Sequence, residues 1–141
     1  MPEAIPTLEA NPSLNGLHAV PFAEFLGVPP RLEFLDRVAA EGVIPHDLAA
    51  LAHDVWQAAW QESGNRLSRP ATTAGEGGPV GFNWDRGEHH LEAEIPRYGP
   101  VEWFYLNRTT DETWEADQPA GAPLPANSSK YFERIAVASG S

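Results

Sequence analysis

The chain has 141 residues and 42% of them are apolar, which suits one domain able to bury about two-thirds of the surface its unfolded form exposes. Twenty acids face nine lysines and arginines, for a formal net charge of −11, and with a single lysine and no basic run the sequence argues against binding nucleic acid or an anionic membrane surface. There is no cysteine, so thiol catalysis, thiolate metal sites and disulfides are all excluded.

The N-terminal run Met1-Pro2-Glu3-Ala4-Ile5-Pro6 lacks the cationic-then-apolar pattern of a signal peptide, and no window approaches the roughly 18 apolar residues of a membrane span. A cytoplasmic location is the default expectation. Residues 1–20, with Pro2, Pro6, Pro12 and Gly16, read as a flexible arm, residues 21–137 as a single α+β domain, and residues 138–141 as a frayed tail. Pro21 to Leu26 reads as one short helical turn stopped by Gly27.

A first helix is expected from Pro29 to Glu41, with the prolines at its start and Leu32, Leu35, Val38 and Ala39 on one face. Gly42 is the expected left-handed residue just past its end, with Val43 or Ile44 packing back. A second helix is expected from Pro45 to Ser63. Its stripe of Leu48, Leu51, Ala52, Val55 and Ala59, flanked by Trp56 and Trp60, is wide enough to bury on two sides. Residues 65–79, rich in Gly, Thr and Pro, read as a connector. Their glycines lack the lysine and the following helix that a phosphate-binding loop needs.

From Val80 the apolar period changes from helical to alternating. Val80, Phe82 and Trp84 share one face of a strand, and Asp85-Arg86-Gly87 reads as the hairpin turn. In the next strand, Glu88 to Ile95, the set His89, Leu91, Ala93 and Ile95 opposes Glu88, His90, Glu92 and Glu94. A third strand, Val101 to Arg108, is apolar on both faces, which suits a central strand or one covered by the C-terminal segment. A turn at Thr109-Thr110-Asp111 leads to a fourth, Glu112 to Ala116. The expected fold is therefore α+β, two N-terminal helices packed on one face of a four-stranded antiparallel meander. After a Pro-rich loop, Asn127-Ser128 could cap a short helix carrying Tyr131, Phe132 and Ile135, with a short strand as the alternative.

Two constellations could carry chemistry. His90, Glu92 and Glu94 alternate on one strand face, where a histidine with carboxylates could hold zinc or iron, completed by Asn83 or Asp85 across the hairpin. The bland reading is a solvated strand face. Trp84, Trp103 and Trp114, interleaved with carboxylates, could stack on sugars or on a partner, or could simply be core. His46 and His53 lie seven residues apart on one helix, about 10 Å along its axis, too far to share an ion. No nucleophile elbow, zinc-protease helix, calcium loop or dinucleotide fingerprint is present, and no cofactor is implied.

Trp56, Trp60, Pro70, Thr72, Gly77-Gly78, Phe82-Asn83-Trp84 and His90-Leu91-Glu92-Ala93-Glu94-Ile95 together resemble a pattern in small uncharacterised bacterial proteins, which carry Glu or an apolar residue where Asn83 stands. The resemblance implies a helix-plus-hairpin unit in a bacterial accessory protein and no activity. The leading expectation is a non-enzymatic binding module working through a protein partner or homodimerisation. A metal-dependent or carbohydrate-active sheet face, or a structural part of a phage-like or defence assembly, are the alternatives.

Overall fold

A computed structural model describes residues 27–136, so the proposed arm at 1–20, the helical turn at 21–26 and the tail at 138–141 lie outside the described residues. Arg31 begins the compact unit that carries every helix and strand below. The order is α1 (Glu33–Ala40), α2 (His46–Glu62), β1 (Ala71–Thr73), β2 (Val80–Arg86), β3 (His89–Ile95), β4 (Val101–Asn107), β5 (Thr113–Gln118) and α3 (Ser128–Ile135). The fold is α+β, with one antiparallel sheet in the strand order β1-β2-β3-β4-β5.

The sheet has five strands where four were expected. The extra one, β1, lies in what reads as a connector and pairs Ala71, Thr72 and Thr73 with Asn83, Phe82 and Gly81. Three residues are too few to display an alternating pattern, and Pro70 and Gly75 on either side read as loop signals. Room for β1 comes from Gly81, where a Cβ would stand 2.6 Å from the Thr73 hydroxyl.

The first helix starts at Glu33, four residues later than Pro29; Pro29 itself is driven out of the helical region by the proline that follows it, and Leu32 at φ −100°, ψ 88° is the residue before the first turn. It ends as expected. Gly42 takes φ +78°, its N–H reaches the Ala39 carbonyl and that of Val43 reaches Val38, the paired bonds of a Schellman motif. The same motif closes α2, with Gly64 bonded to Gln61 and Asn65 to Trp60. The β2–β3 turn is Gly87-Glu88, two residues with Arg86 paired to His89, so β2 runs further than expected. Gly87 has φ +60° at the first loop position, which a side chain would resist.

Residues 128–135 are helix, not strand. Asn127 precedes it at φ +70° with no side-chain capping bond, so the expected cap is absent. This helix changes the layering. α2 and α3 rest on β2 and β3, while α1 packs on α2, so the sheet is covered by one N-terminal and one C-terminal helix.

The core lies between that helical layer and one sheet face. Val80, Phe82, Trp84, Leu91, Ala93, Ile95, Val101, Trp103 and Tyr105 are all buried there, matching the alternation read from sequence. Rings run through it in contact. Trp56 meets Trp84, Trp84 stacks on Trp103 at 6.4 Å, and Trp103 meets Phe132 at 5.1 Å. The indole N–H groups of the two buried sheet tryptophans have acceptors, Trp84 on the Ser68 carbonyl and Trp103 on the Gln118 side chain. That satisfies donors which would otherwise cost about 1–3 kcal/mol apiece. No described helix is long and apolar enough to cross a membrane.

Candidate functional site

The helices leave one face of the sheet uncovered by any described element. Strand alternation sends Asn83, Asp85, His90, Glu92, Glu94, Glu102, Phe104, Leu106, Glu115 and Asp117 to that face, and all of them are partly or fully exposed. Phe104 and Leu106 are half-buried at its centre, on the strand whose other face, Trp103 and Tyr105, is covered in part by α3.

His90 is held at both ends. Its Nδ1 lies 2.9 Å from Asp85 Oδ1 and its Nε2 2.9 Å from Glu92 Oε1, while the ring leans on Phe104. Arg108 reaches Asp85 Oδ1 at 2.6 Å, closing a chain Arg108–Asp85–His90–Glu92. Burial pushes the imidazole pKa down, but the hydrogen bonds it donates to Glu92 and Asp85, with their charges, more than reverse this and leave it raised. The Arg108 hydrogen bond first, and then that of His90, hold the Asp85 carboxyl below its ordinary value. An acceptor on each ring nitrogen suits the doubly protonated imidazolium, whereas a metal ion needs the lone pair of a neutral ring.

Of the three residues singled out as metal ligands, then, His90 and Glu92 meet and Glu94 does not join them. Four residues along a strand separate His90 from Glu94 by about 13 Å. The described residues contain no group of three His, Asp or Glu side chains arranged to hold a metal ion. The three tryptophans do not form a surface. Trp84 and Trp103 are 3% and 1% exposed, and Trp114 is half-buried on the core side, stacked on Tyr131 at 4.7 Å. Alternation alone could have shown this, since Val80, Phe82 and Trp84 share a parity with the buried Leu91 and Ile95 across the hairpin. His53 binds Asp36 across α1 and α2 at 2.9 Å, a structural tie between helices.

A feature that sequence reading missed is a row of like charges. Glu94 of β3 stands directly opposite Glu102 of β4, and Glu102 stands opposite Asp117 of β5. The Asn107 N–H bonds the Glu112 carbonyl, which makes Glu102–Asp117 a non-hydrogen-bonded pair, the kind whose Cα atoms approach to about 4.5 Å. None of these three carboxylates has an ion pair among the described residues. Like charges directly opposite destabilise a sheet. Register is what makes the row, and register is not visible until the turns are placed.

Compared with family models, curated proteins and solved structures, the chain matches none.

Proposed function

We propose that the chain is a non-enzymatic binding module that receives a basic protein partner on the helix-free face of its sheet. The observation that carries this reading is the in-register row Glu94–Glu102–Asp117. Three carboxylates with no ion pair among the described residues lie one same-face position along the sheet from Phe104, with Leu106 the next, so an apolar centre meets a charged border, the layout of a protein interface. A cationic partner would turn the internal repulsion of the row into attraction and would be steered to it at low salt. Self-association through the same face would set these carboxylates against one another, so a second kind of chain fits better than another copy.

Affinity capture tests the reading, with wild type compared against E94Q/E102Q/D117N at about 0.1 M and 0.5 M salt, where screening lengths fall from about 10 Å to under half that. A basic partner retained by wild type at low salt and lost by the triple variant is the expected result. A partner held equally by both proteins would rule out this face.

A further inference from the structure

Register places the helix-free face on a grid. One row across the strands runs Asn83–Glu92–Phe104–Glu115, and its neighbour runs Glu94–Glu102–Asp117. Phe104 sits where the two rows meet. Glu115 stands directly opposite it on β5, Glu92 directly opposite on β3, and Glu102 is one same-face position before it on β4.

The ladder decides which carboxylate is nearest. The Asn107 N–H bonds the Glu112 carbonyl and bonded pairs alternate from there, so Phe104–Glu115 is a non-hydrogen-bonded pair, with Cα atoms about 4.5 Å apart. The Arg108 N–H bonds the Glu88 carbonyl, which makes Glu92–Phe104 a hydrogen-bonded pair, about 5.5 Å apart. Phe104 is half-buried, while Glu102 and Glu115 are exposed and have no side-chain hydrogen bond or ion pair among the described residues.

The cations of this face are engaged away from that spot. His90 lies between Asp85 and Glu92, and Arg108 lies on Asp85. The His90 ring approaches Phe104 from β3, at 6.5 Å between centroids, and so leaves the β5 side of the phenyl ring to Glu115. The strand carboxylates of the face, Asp85, Glu92, Glu94, Glu102, Glu115 and Asp117, outnumber these cations even with His90 protonated.

We propose, resting on the docking face above, that Phe104 anchors an arginine of the basic partner, its guanidinium against the open side of the phenyl ring and its N–H groups on the Glu102 and Glu115 carboxylates. A planar guanidinium can lie on a ring and still point N–H groups outward from its edge to carboxylates. A lysine ammonium is a compact, strongly hydrated point charge and gains less from the ring. Arginine is also among the side chains that most often carry the binding energy of protein interfaces.

The test uses two amide-capped peptides of equal charge, tri-arginine and tri-lysine, titrated into the whole chain at about 0.02 M salt and followed by amide and aromatic NMR. At millimolar concentrations both peptides should shift Glu94 and Glu102, and tri-arginine should in addition move the Phe104 ring protons. Tri-arginine should bind about threefold more tightly, the ratio that one exposed cation–π contact supplies. Phe104→Leu keeps an apolar side chain at the position and should bring tri-arginine down to the affinity of tri-lysine. Glu115→Gln, outside the row Glu94–Glu102–Asp117, should weaken tri-arginine about twofold. The comparison of the two peptides on the unaltered chain needs no variant to fold. Equal affinity for the two peptides, a preference for arginine that survives Phe104→Leu, or no saturable shift with either peptide up to about 20 mM overturns the anchor. The docking face fails separately, if E94Q/E102Q/D117N binds both peptides as tightly as wild type.

Discussion

Neutralising the middle carboxylate of the cross-strand row should make the protein more stable. Glu102 is opposed by Glu94 on one side and by Asp117 on the other, so Glu102→Gln removes both repulsive pairs in one step while keeping the side-chain shape. Each opposed like-charge pair costs about 0.2–1 kcal/mol, so the expected gain is about 1 kcal/mol, or a rise of about 4 °C in Tm for a domain of this size. The groups are exposed, and raising salt from about 0.01 M to 1 M shortens the screening length from about 30 Å to about 3 Å. The gain should therefore shrink towards zero at high salt. Urea unfolding at both salt concentrations measures it, with Glu76→Gln as a control that changes net charge equally at an exposed loop position. A loss of stability, a gain independent of salt, or an equal gain in the control would each refute the reasoning. A side chain that costs stability in the free protein fits a use in the bound one.

Trp103→Ala should cost about 3–5 kcal/mol in urea unfolding, because the indole is buried between Trp84 and Phe132 and its removal leaves Gln118 without its donor. Gly81→Ala should cost about 1 kcal/mol or more by pressing on the Thr73 hydroxyl, and Thr73→Ala in the same chain should recover most of that loss, as a double-mutant cycle would record. The His90 clamp predicts a pH window. Its folded pKa is raised above 6.5, so its contribution is fully present below about pH 6.5 and is lost as pH rises through the folded value. Asp85 is lowered from 3.8, so its contribution is present above that value and is lost as pH falls through its folded one. His90→Gln should remove the alkaline part of this profile in pH-dependent thermal unfolding, with an amplitude of only about 0.5–1 kcal/mol because the partners are exposed, and an unchanged profile would refute the clamp.

Periodicity made the sheet half legible. The switch to alternation at Val80 placed Phe82, Leu91, Ile95 and Trp103 on one face, and the structure buries all of them. Gly42 was legible because a left-handed residue after an apolar stripe has few other uses. What was not legible depended on partners distant in sequence. β1 exists through its pairing with β2 across the six residues 74–79. α3 is amphipathic, but nothing local says that its Tyr131 and Phe132 meet Tyr105 and Trp103. His90 and Glu92 were visible as neighbours, and Asp85 as a candidate across the hairpin. The Arg108 link and the Glu94–Glu102–Asp117 row required the register of three strands at once.

Acidic side chains on a sheet can serve a different purpose, guarding an edge against pairing with another chain. β5 is an edge strand, and its Thr113, Glu115 and Asp117 direct their backbone groups away from β4, since Asn107 bonds Glu112 and the bonded pairs alternate from there. Glu115 and Asp117 are thus placed to keep a second strand off. Glu94 and Glu102 are not, because β3 and β4 are interior strands with both edges paired. The two roles separate by mutation. Glu115→Gln with Asp117→Asn should promote self-association, seen as rising mass with concentration in light scattering, while Glu94→Gln with Glu102→Gln should leave the mass unchanged and weaken capture of the basic partner. If the interior pair alone drove association, the row would be a guard rather than a docking surface, and the proposed face would have to be abandoned.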